Sequence, residues 1–400
     1  MKPPDGCEPD DKTKVWRLDK ALYGLKQSPR EWNNEVHGTL QLLGYAAQQA
    51  DECIYRKVSR SGGRILLVLY VDDTLAAYEK RDEAEWMADK AAIAHRYPIE
   101  DMGDCNWILN MRVTRERHAQ RLTLSQQAYI ERIIDEFGEP GARGRSYAAD
   151  NPGLTADPEA PADGTEPVPL DADAHATYRR LVGSLLYAAM TTRVDIAYTC
   201  SMLSRYVSKP YAHHRRAAQQ CVRYLAGTAT LGMVFRKHDV LTPALQVWTD
   251  ASWADCKATR RSVSGAVVRF RGNPIAWTSK RQSTVATSST ESEYVAMCEA
   301  VKDAQWYQTW IREVTGAARD VVAVVWCDNQ SAIQWVQSEA LKHARTKHIA
   351  VAYHKVRELH AQGDIDVRWI GTRDQEADML TKRVETKQLH ALRVRLLEEV

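Results

Sequence analysis

Val321-Val-Ala-Val-Val-Trp-Cys-Asp-Asn329 is the stretch on which the fold turns. Val321 to Cys327 is apolar without a break and too short for a core helix, so it is expected to be a buried strand, ending at Asp328. Upstream, Ala244 to Ser252, Ser262 to Phe270 and Pro274 to Ser279 are β-rich runs separated by turn residues. A long helix is expected from Thr290, as N-cap, through about Val314, with Glu291 and Glu293 in its first turn. Downstream, Ser331 to Gln337 and Lys347 to Gln362 have helical spacing, and Ile365 to Ile370 is a last strand. The order βββαβααβα implies an α/β fold, a mixed sheet flanked by helices.

Acidic residues stand where these elements begin or end. Asp250 lies near the end of the first strand, Asp328 closes the buried one, and Glu291 opens the long helix. Asp378 sits in Glu376-Ala-Asp-Met-Leu-Thr-Lys382, on the opening turn of a C-terminal helix, where the helix dipole favours an ionised carboxylate. Strand ends of open sheets are where ligands gather. Carboxylates converging on one point repel unless cations neutralise them. Hard oxygen ligands without His favour Mg²⁺ or Mn²⁺. Two such ions, about 3.5–4 Å apart, can activate a water and stabilise the leaving oxygen of a phosphodiester. Taken singly, each acid also fits a structural role, as a turn residue, a cap or a partner of the helix dipole.

Toward the N-terminus, Glu31 to Leu43 has helical spacing after Ser28-Pro29, which suit an N-cap and first turn. Arg64 to Ala77 reads as two strands meeting at a turn that carries Asp72 and Asp73. Asp82 to Arg96 is an amphipathic helix, and Gln120 to Phe137 a short strand and a helix. Between Glu139 and Asp173 stand Pro140, Pro152, Pro158, Pro161, Pro167 and Pro169, among acidic and small residues. That composition buries too little apolar surface to offset ordering, so a flexible linker is expected. Tyr178 to Gly227 follows as helices rich in Leu, Ala and Tyr, interrupted near Arg193-Val-Asp195. The expected domains are therefore 1–138, a linker 139–175, a helical connection 176–230 and a last domain 231–400.

With 400 residues and a net charge of +2, the chain has room for several domains and no overall basic footprint, so nucleic-acid binding must rest on local clusters. Lys257/Arg260/Arg261, Lys280/Arg281 and Lys342/Arg345/Lys347 are such clusters, and Trp253 is a candidate stacking platform. The eight cysteines are dispersed and form no CxxC pair, which argues against a zinc site and a disulfide framework. No signal peptide and no membrane-spanning run is recognisable, so a cytoplasmic or nuclear protein without a membrane partner is expected.

The motifs together resemble the C-terminal part of the Pol polyprotein of copia-type LTR retrotransposons. Thr249-Asp-Ala-Ser-Trp-Ala-Asp255, Arg261-Ser-Val-Ser-Gly265, Trp277-Thr-Ser-Lys-Arg-Gln282, Ser289-Thr-Glu-Ser-Glu-Tyr294, Cys327-Asp-Asn-Gln-Ser-Ala332, Arg345-Thr-Lys-His-Ile349 and Ala377-Asp-Met-Leu-Thr-Lys382 are similar to its RNase H in family order. Tyr178-Arg-Arg-Leu-Val-Gly-Ser-Leu-Leu-Tyr187 and Asp195-Ile-Ala-Tyr198 resemble its connection. Leu22-Tyr-Gly-Leu-Lys-Gln-Ser-Pro-Arg30 with Trp32, Tyr70-Val-Asp-Asp73, and Leu124-Ser-Gln-Gln-Ala-Tyr-Ile130 resemble its reverse transcriptase.

The resemblance implies an α+β palm and thumb followed by an RNase H domain that hydrolyses RNA in RNA–DNA hybrids with two Mg²⁺ (or Mn²⁺) ions. Asp250, Glu291, Asp328 and Asp378 would be its metal-binding catalytic acids, and Asp72 and Asp73 those of the polymerase turn. Lys26, Gln27, Tyr70, Arg261, Lys280, Arg281, Arg345, Lys347 and His348 would contact nucleotide, template-primer or hybrid, and the rest of a Pol polyprotein is a further expected partner. The further polymerase Asp, on a strand upstream of Leu22, is not recognisable, so polymerase activity is expected to be lost by truncation. Asn110 stands where the family has Gly, Val194 where it has Pro, and Gly371 replaces a stiffer residue. No histidine-bearing loop is recognisable before Asp378. The alternative expectation is a non-catalytic remnant, or a piece of a larger polyprotein, that at most binds nucleic acid.

Overall fold

The computed structural model describes residues 6–7, 13, 15–139, 168–237, 244–256, 259–317, 321–338 and 350–400. Most of the expected linker, and Lys257, Lys342, Arg345, Lys347 and His348, lie outside the described residues. The described chain divides into two compact units, Met1–Gly103 with Trp310–Ala317, and Asp104–Thr309 with Ala318–Val400.

In the first unit, helix α1 (Ser28–Leu42) precedes a short β1 (Ala46–Ala47) and strands β2 (Ile54–Val58), β3 (Arg64–Tyr70) and β4 (Asp73–Tyr78), and α2 (Glu83–Arg96) follows. The four strands pair in chain order, and each pair is antiparallel. Apolar residues one face apart, Ile65, Leu67 and Leu69 of β3, turn inward against Val36, Leu40 and Trp86.

The second unit contains two sheets. Strands β5 (Trp107–Ile108), β6 (Met111–Glu116) and β7 (Arg121–Ser125) lead into α3 (Gln127–Phe137). Helices α4 (Ala172–Thr191), α5 (Ala197–Ser204) and α6 (Ala212–Ala226) come next, then β8 (Leu231–Arg236). Ile130, Ile133 and Phe137 of α3 share one core with Leu181, Leu185, Leu203 and Leu225 of the later helices. The expected strand and helix of residues 120–137 thus belong, in packing, with residues far along the chain. Strands β8 and β14 (Leu397–Glu399) complete an antiparallel sheet in the order β14-β8-β7-β6-β5. The strands Met111–Glu116, Leu231–Arg236 and Leu397–Glu399 were not expected from the sequence. They are short, and Leu231–Arg236 pairs with Arg121–Ser125 and with Leu397–Glu399, segments more than a hundred residues apart that local periodicity does not connect, while Met111–Glu116 pairs with its neighbours in the chain.

The other sheet positions the candidate site. It comprises β9 (Leu245–Ser252), β10 (Val263–Phe270), β11 (Asn273–Arg281), β12 (Ala323–Cys327) and β13 (Ile365–Trp369), in the order β11-β10-β9-β12-β13. The β9–β10 and β10–β11 pairs are antiparallel, and β9–β12 and β12–β13 parallel, so the sheet is mixed as expected. Leu245, Val247, Val263, Val267, Ala323, Val325 and Cys327 are wholly buried, which is why Ala323 to Cys327 carries no polar alternation; the strand starts two residues later than expected, and Val322 before it is about half exposed. The helices following these strands are α7 (Ser289–Thr315), α8 (Gln330–Gln337), α9 (Ala350–Gln362), α10 (Asp378–Thr381) and α11 (Thr386–Arg393).

One glycine decides how close α10 comes. Gly265 of β10 pairs with Asp250 of β9, and directly paired residues share a sheet face. A Cβ at Gly265 would lie 2.6 Å from Thr381 Cγ2, 2.9 Å from Leu380 Cβ and 3.1 Å from the Ala377 carbonyl oxygen. Only a residue without a side chain lets α10 rest on the strand beside Asp250. Gly265→Ala is expected to cost about 1–3 kcal/mol in a urea titration followed by tryptophan fluorescence, the usual price of overpacking. An unchanged midpoint would show that α10 is free to retreat.

Candidate metal centre

Asp250 projects from β9 and is almost fully buried. Asp328 directly follows β12. The next residue, Asn329, caps α8 by accepting from the Ala332 amide at 3.0 Å, so the capping role falls to the asparagine and leaves the aspartate free of it. Asp378 opens α10 and is buried. Its approach is fixed by Gln375, fully buried, which donates to the Thr249 carbonyl at 3.0 Å while its own oxygen accepts from the Ala377 amide. Carboxylate oxygens of Asp250, Asp328 and Asp378 lie within 4.8 Å of one another. These are three of the four acids expected at the nuclease site.

The expected fourth, Glu291, is elsewhere. The helix starts at Ser289, earlier than Thr290, and this changes its role. Ser288 Oγ accepts from the Glu291 amide at 3.1 Å, and Glu291 Oε2 accepts from the Thr287 amide at 2.7 Å and from the Thr287 hydroxyl. The arrangement is close to a capping box, with the acid reaching back over the helix entrance. Glu293, two residues on and therefore on another side of the helix, points to the cluster instead. Together with Cys327 and Asp328 it forms a second grouping whose ligand atoms also lie within 4.8 Å of one another. Gln282 holds this end of α7 to the sheet, donating to Ser264 Oγ at 3.0 Å and to the Ser292 carbonyl at 2.9 Å. Glu293, expected in the first helical turn but not as a ligand, could have been found from Ser288-Ser-Thr-Glu291, a capping-box pattern that assigns Glu291 to the helix end.

The electrostatics fit crowded like charges. Burial, with Asp250 and Asp328 nearby, pushes the Glu293 carboxyl up to about 10. Burial and Asp250 push Asp378 up to about 6, although Lys382 acts in the opposite sense. Asp328 is raised by burial and by Asp250, and partly relieved by the Thr372 hydroxyl, which donates to it at 3.0 Å. Glu293 Oε2 is buried without a hydrogen-bond partner. The Cys327 thiol is pushed well up by burial and by Glu293, and its soft sulfur is a poor match for Mg²⁺ or Mn²⁺. The donors that remain are hard oxygens in two groupings sharing Asp328, a set suited to two Mg²⁺ or Mn²⁺ ions. Around them, Thr381 donates to Asp250, Gln388 donates to Asp378 at 3.0 Å, and Lys382 Nζ lies 2.7 Å from Asp378 Oδ1.

The other expected residues fall in two places. In the second unit, Arg261 and Arg281 are partly buried and Lys280 is exposed, and Arg281 is directed to Cys256 Sγ at 3.8 Å. Trp253 is about half exposed, its indole N–H anchored on the Ala286 carbonyl at 3.0 Å. In the first unit, Asp72 is exposed in the turn between β3 and β4, and Asp73 pairs with Tyr70 across it. Val71 has φ 58°, a left-handed conformation costly for a β-branched residue, and Trp32 Nε1 donates to its carbonyl at 2.6 Å. Lys26 and Gln27 are exposed just before α1.

No described helix is long and apolar enough to cross a membrane. Residues 1–148 match the family described as reverse transcriptase (RNA-dependent DNA polymerase). The chain is 35% identical over 385 residues to the retrovirus-related Pol polyprotein from transposon TNT 1-94 of Nicotiana tabacum, covering 96% of this chain and 28% of that one. It is 32% identical to the Pol polyprotein from transposon RE2 of Arabidopsis thaliana, covering 95% and 25%, so it spans about a quarter of the length of these relatives. A transposon Ty5-1 protein of Saccharomyces cerevisiae is 30% identical over 294 residues, covering 72% of this chain and 89% of its own. Among solved structures, LC11-RNase H1 in complex with an RNA/DNA hybrid matches at 16% identity and a TM-score of 0.27, over 34% of this chain and 93% of that one. A foamy viral protease–reverse transcriptase matches at 13% identity and a TM-score of 0.46, over 86% and 49%. By its sequence the chain belongs to the retrotransposon Pol family, of the copia type, and its residues 1–148 correspond to the reverse transcriptase of that family.

Proposed function

We propose that the second unit is an RNase H-type nuclease that hydrolyses the RNA strand of RNA–DNA hybrids. The observation that carries this is the convergence of Asp250, Asp328 and Asp378 from two strand ends and a helix start, with buried Glu293, whose Oε2 lacks a hydrogen-bond partner, beside them. Asp250, Glu293, Asp328 and Asp378 would hold two Mg²⁺ or Mn²⁺ ions, which supply a polarised water and charge stabilisation at the leaving oxygen. The chain's own part is to fix the carboxylates: Thr381 orients Asp250, Thr372 orients Asp328, and Gln375 and Gly265 seat α10 so that Asp378 reaches the same point. Arg261, Lys280, Arg281 and Trp253 would contact the hybrid from the same unit. Minor-groove 2′-hydroxyls are the feature by which such a site tells RNA from DNA.

In the first unit, Asp72 and Asp73 would be polymerase carboxylates, with Lys26, Gln27 and Tyr70 toward nucleotide and template-primer. The strained Val71 turn held by Trp32 supports that assignment, since strain persists where a site requires it. A cytoplasmic or nuclear location, and assembly with the rest of a Pol polyprotein, belong to the same proposal. The test is cleavage of an end-labelled RNA–DNA hybrid by the full chain with Mg²⁺. RNA-strand cutting that is lost in Asp328→Asn is expected; no cutting, or cutting that survives the substitution, would overturn it.

A further inference from the structure

The acidic cluster is not evenly charged. On one side, Lys382 Nζ lies 2.7 Å from Asp378 Oδ1 and 3.7 Å from Asp250 Oδ2. The lysine follows α10 directly and stands four residues after Asp378, so the same helical turn that delivers the acid delivers the ammonium. On the other side, Glu293 Oε2 is buried without a hydrogen-bond partner, next to Asp328. Asp378 Oδ1 and Glu293 Oε2 both lack a hydrogen bond, but among the described residues only the first has a cation of the chain's own beside it.

We propose that Lys382 is a resident cation of the Asp250–Asp378 side, which a divalent ion must displace, so that the two metal positions fill unequally. This rests on reading the cluster as a two-ion centre. The Glu293–Asp328 side takes an ion first, because among the described residues no ammonium lies against its oxygens and an incoming ion has only the Glu293 proton to replace. On the Asp250–Asp378 side, an ion competes for oxygens that Lys382 already neutralises. The lysine can yield: its side chain is 39% exposed, and its flexible stem allows the ammonium to swing into water. Without metal, Lys382 limits the repulsion among three close aspartates; with metal, it regulates how readily the second ion binds.

The experiment is calorimetric titration of the metal-free full chain with Mn²⁺, without nucleic acid, alongside melting curves with and without Mg²⁺. The wild type is expected to show two binding events, the weaker by about tenfold or more. In Lys382→Met the weaker event should strengthen by about tenfold, while the tighter one changes by less than about threefold. Asp378→Asn should remove the weaker event and keep the tighter one. Lys382→Met should also melt lower than wild type without metal, with the difference closing at saturating Mg²⁺. A purely structural lysine would lower the melting temperature equally in both conditions, and that result overturns the proposal. So does a weaker event that Lys382→Met leaves unchanged. Lys382→Gln gives the same comparison if the methionine variant does not fold. Absence of any binding in wild type and variants would overturn the metal-centre reading itself, a distinct outcome.

Discussion

Glu293→Gln should lower Mg²⁺-dependent cleavage of an RNA–DNA hybrid by about a hundredfold or more, while Glu291→Gln should leave it within about threefold, the scale expected for losing a group that stabilises developing charge against losing none. The two residues are separated by one serine, and both stand in the first turns of α7. Glu291 spends its carboxylate on Thr287, whereas Glu293 faces Asp250 and Asp328. Glu291→Gln should also leave stability nearly unchanged, because its amide oxygen can still accept from Thr287, whereas Glu291→Ala should cost about 1 kcal/mol. Equal loss of cleavage in both variants would show that the helix start, rather than one carboxylate, is what the reaction needs.

A second readout of Glu293→Gln is independent of cleavage. Burial holds the Glu293 carboxyl at about 10 in the metal-free protein, far above its ordinary value of 4.5. The unfolded chain releases this proton first. Glu293 therefore takes away stability as pH rises above about 4.5, and its penalty levels off near 10. Metal-free wild type should lose melting temperature across that window, and Glu293→Gln should lose less. Parallel pH profiles for the two proteins would show that Glu293 is already ionised.

Arg193→Met should destabilise the second unit by about 3–5 kcal/mol, the cost of leaving a buried partner charge uncompensated. Arg193 and Asp195 are both wholly enclosed, with Nε 2.9 Å from Oδ1 and Nη2 2.8 Å from Oδ2. Arg193 also donates to the Thr228 carbonyl at 3.0 Å and hydroxyl at 2.7 Å, and Tyr224 donates to Asp195 at 2.5 Å. Arg393 from α11 reaches Tyr224 at 3.1 Å. Burial alone would raise Asp195, but the Arg193 guanidinium overrides it and holds the carboxyl below its usual range. The network joins the turn after α4 to α6 and α11, elements that local sequence does not connect. The double variant Arg193→Met/Asp195→Leu should recover most of the loss, because no unpaired charge is left inside. Urea titrations of the three proteins decide this; a double variant no more stable than the single one would mean that the pair's shape, rather than its charge, is what the core needs.

The fold of the C-terminal sheet was legible because its evidence is local. An unbroken apolar run such as Val321 to Cys327 fits few structures other than a strand covered on both faces, and Asp328 at its end could be named at once. Asp250 and Asp378 each mark a boundary between element and loop, a position that also suits a turn or cap, and their role as metal-binding acids is what the resemblance to the Pol family implied. The choice between Glu291 and Glu293 was not legible, because a helix beginning one or two residues earlier exchanges which acid caps the end and which faces the sheet. Lys382 was visible only as the last residue of a motif; that its ammonium enters the cluster depends on how closely α10 rests on Gly265. The antiparallel sheet joining β7, β8 and β14 was equally hidden, since its pairs are remote in sequence. The amino-acid order by itself determined most of the elements, because periodicity acts over a few neighbours, and the resemblance of its motifs to the Pol family implied the kind of chemistry and the candidate acids. Tertiary structure alone decided which carboxylates meet and which cation stands among them, because that depends on distances between segments that only packing brings together.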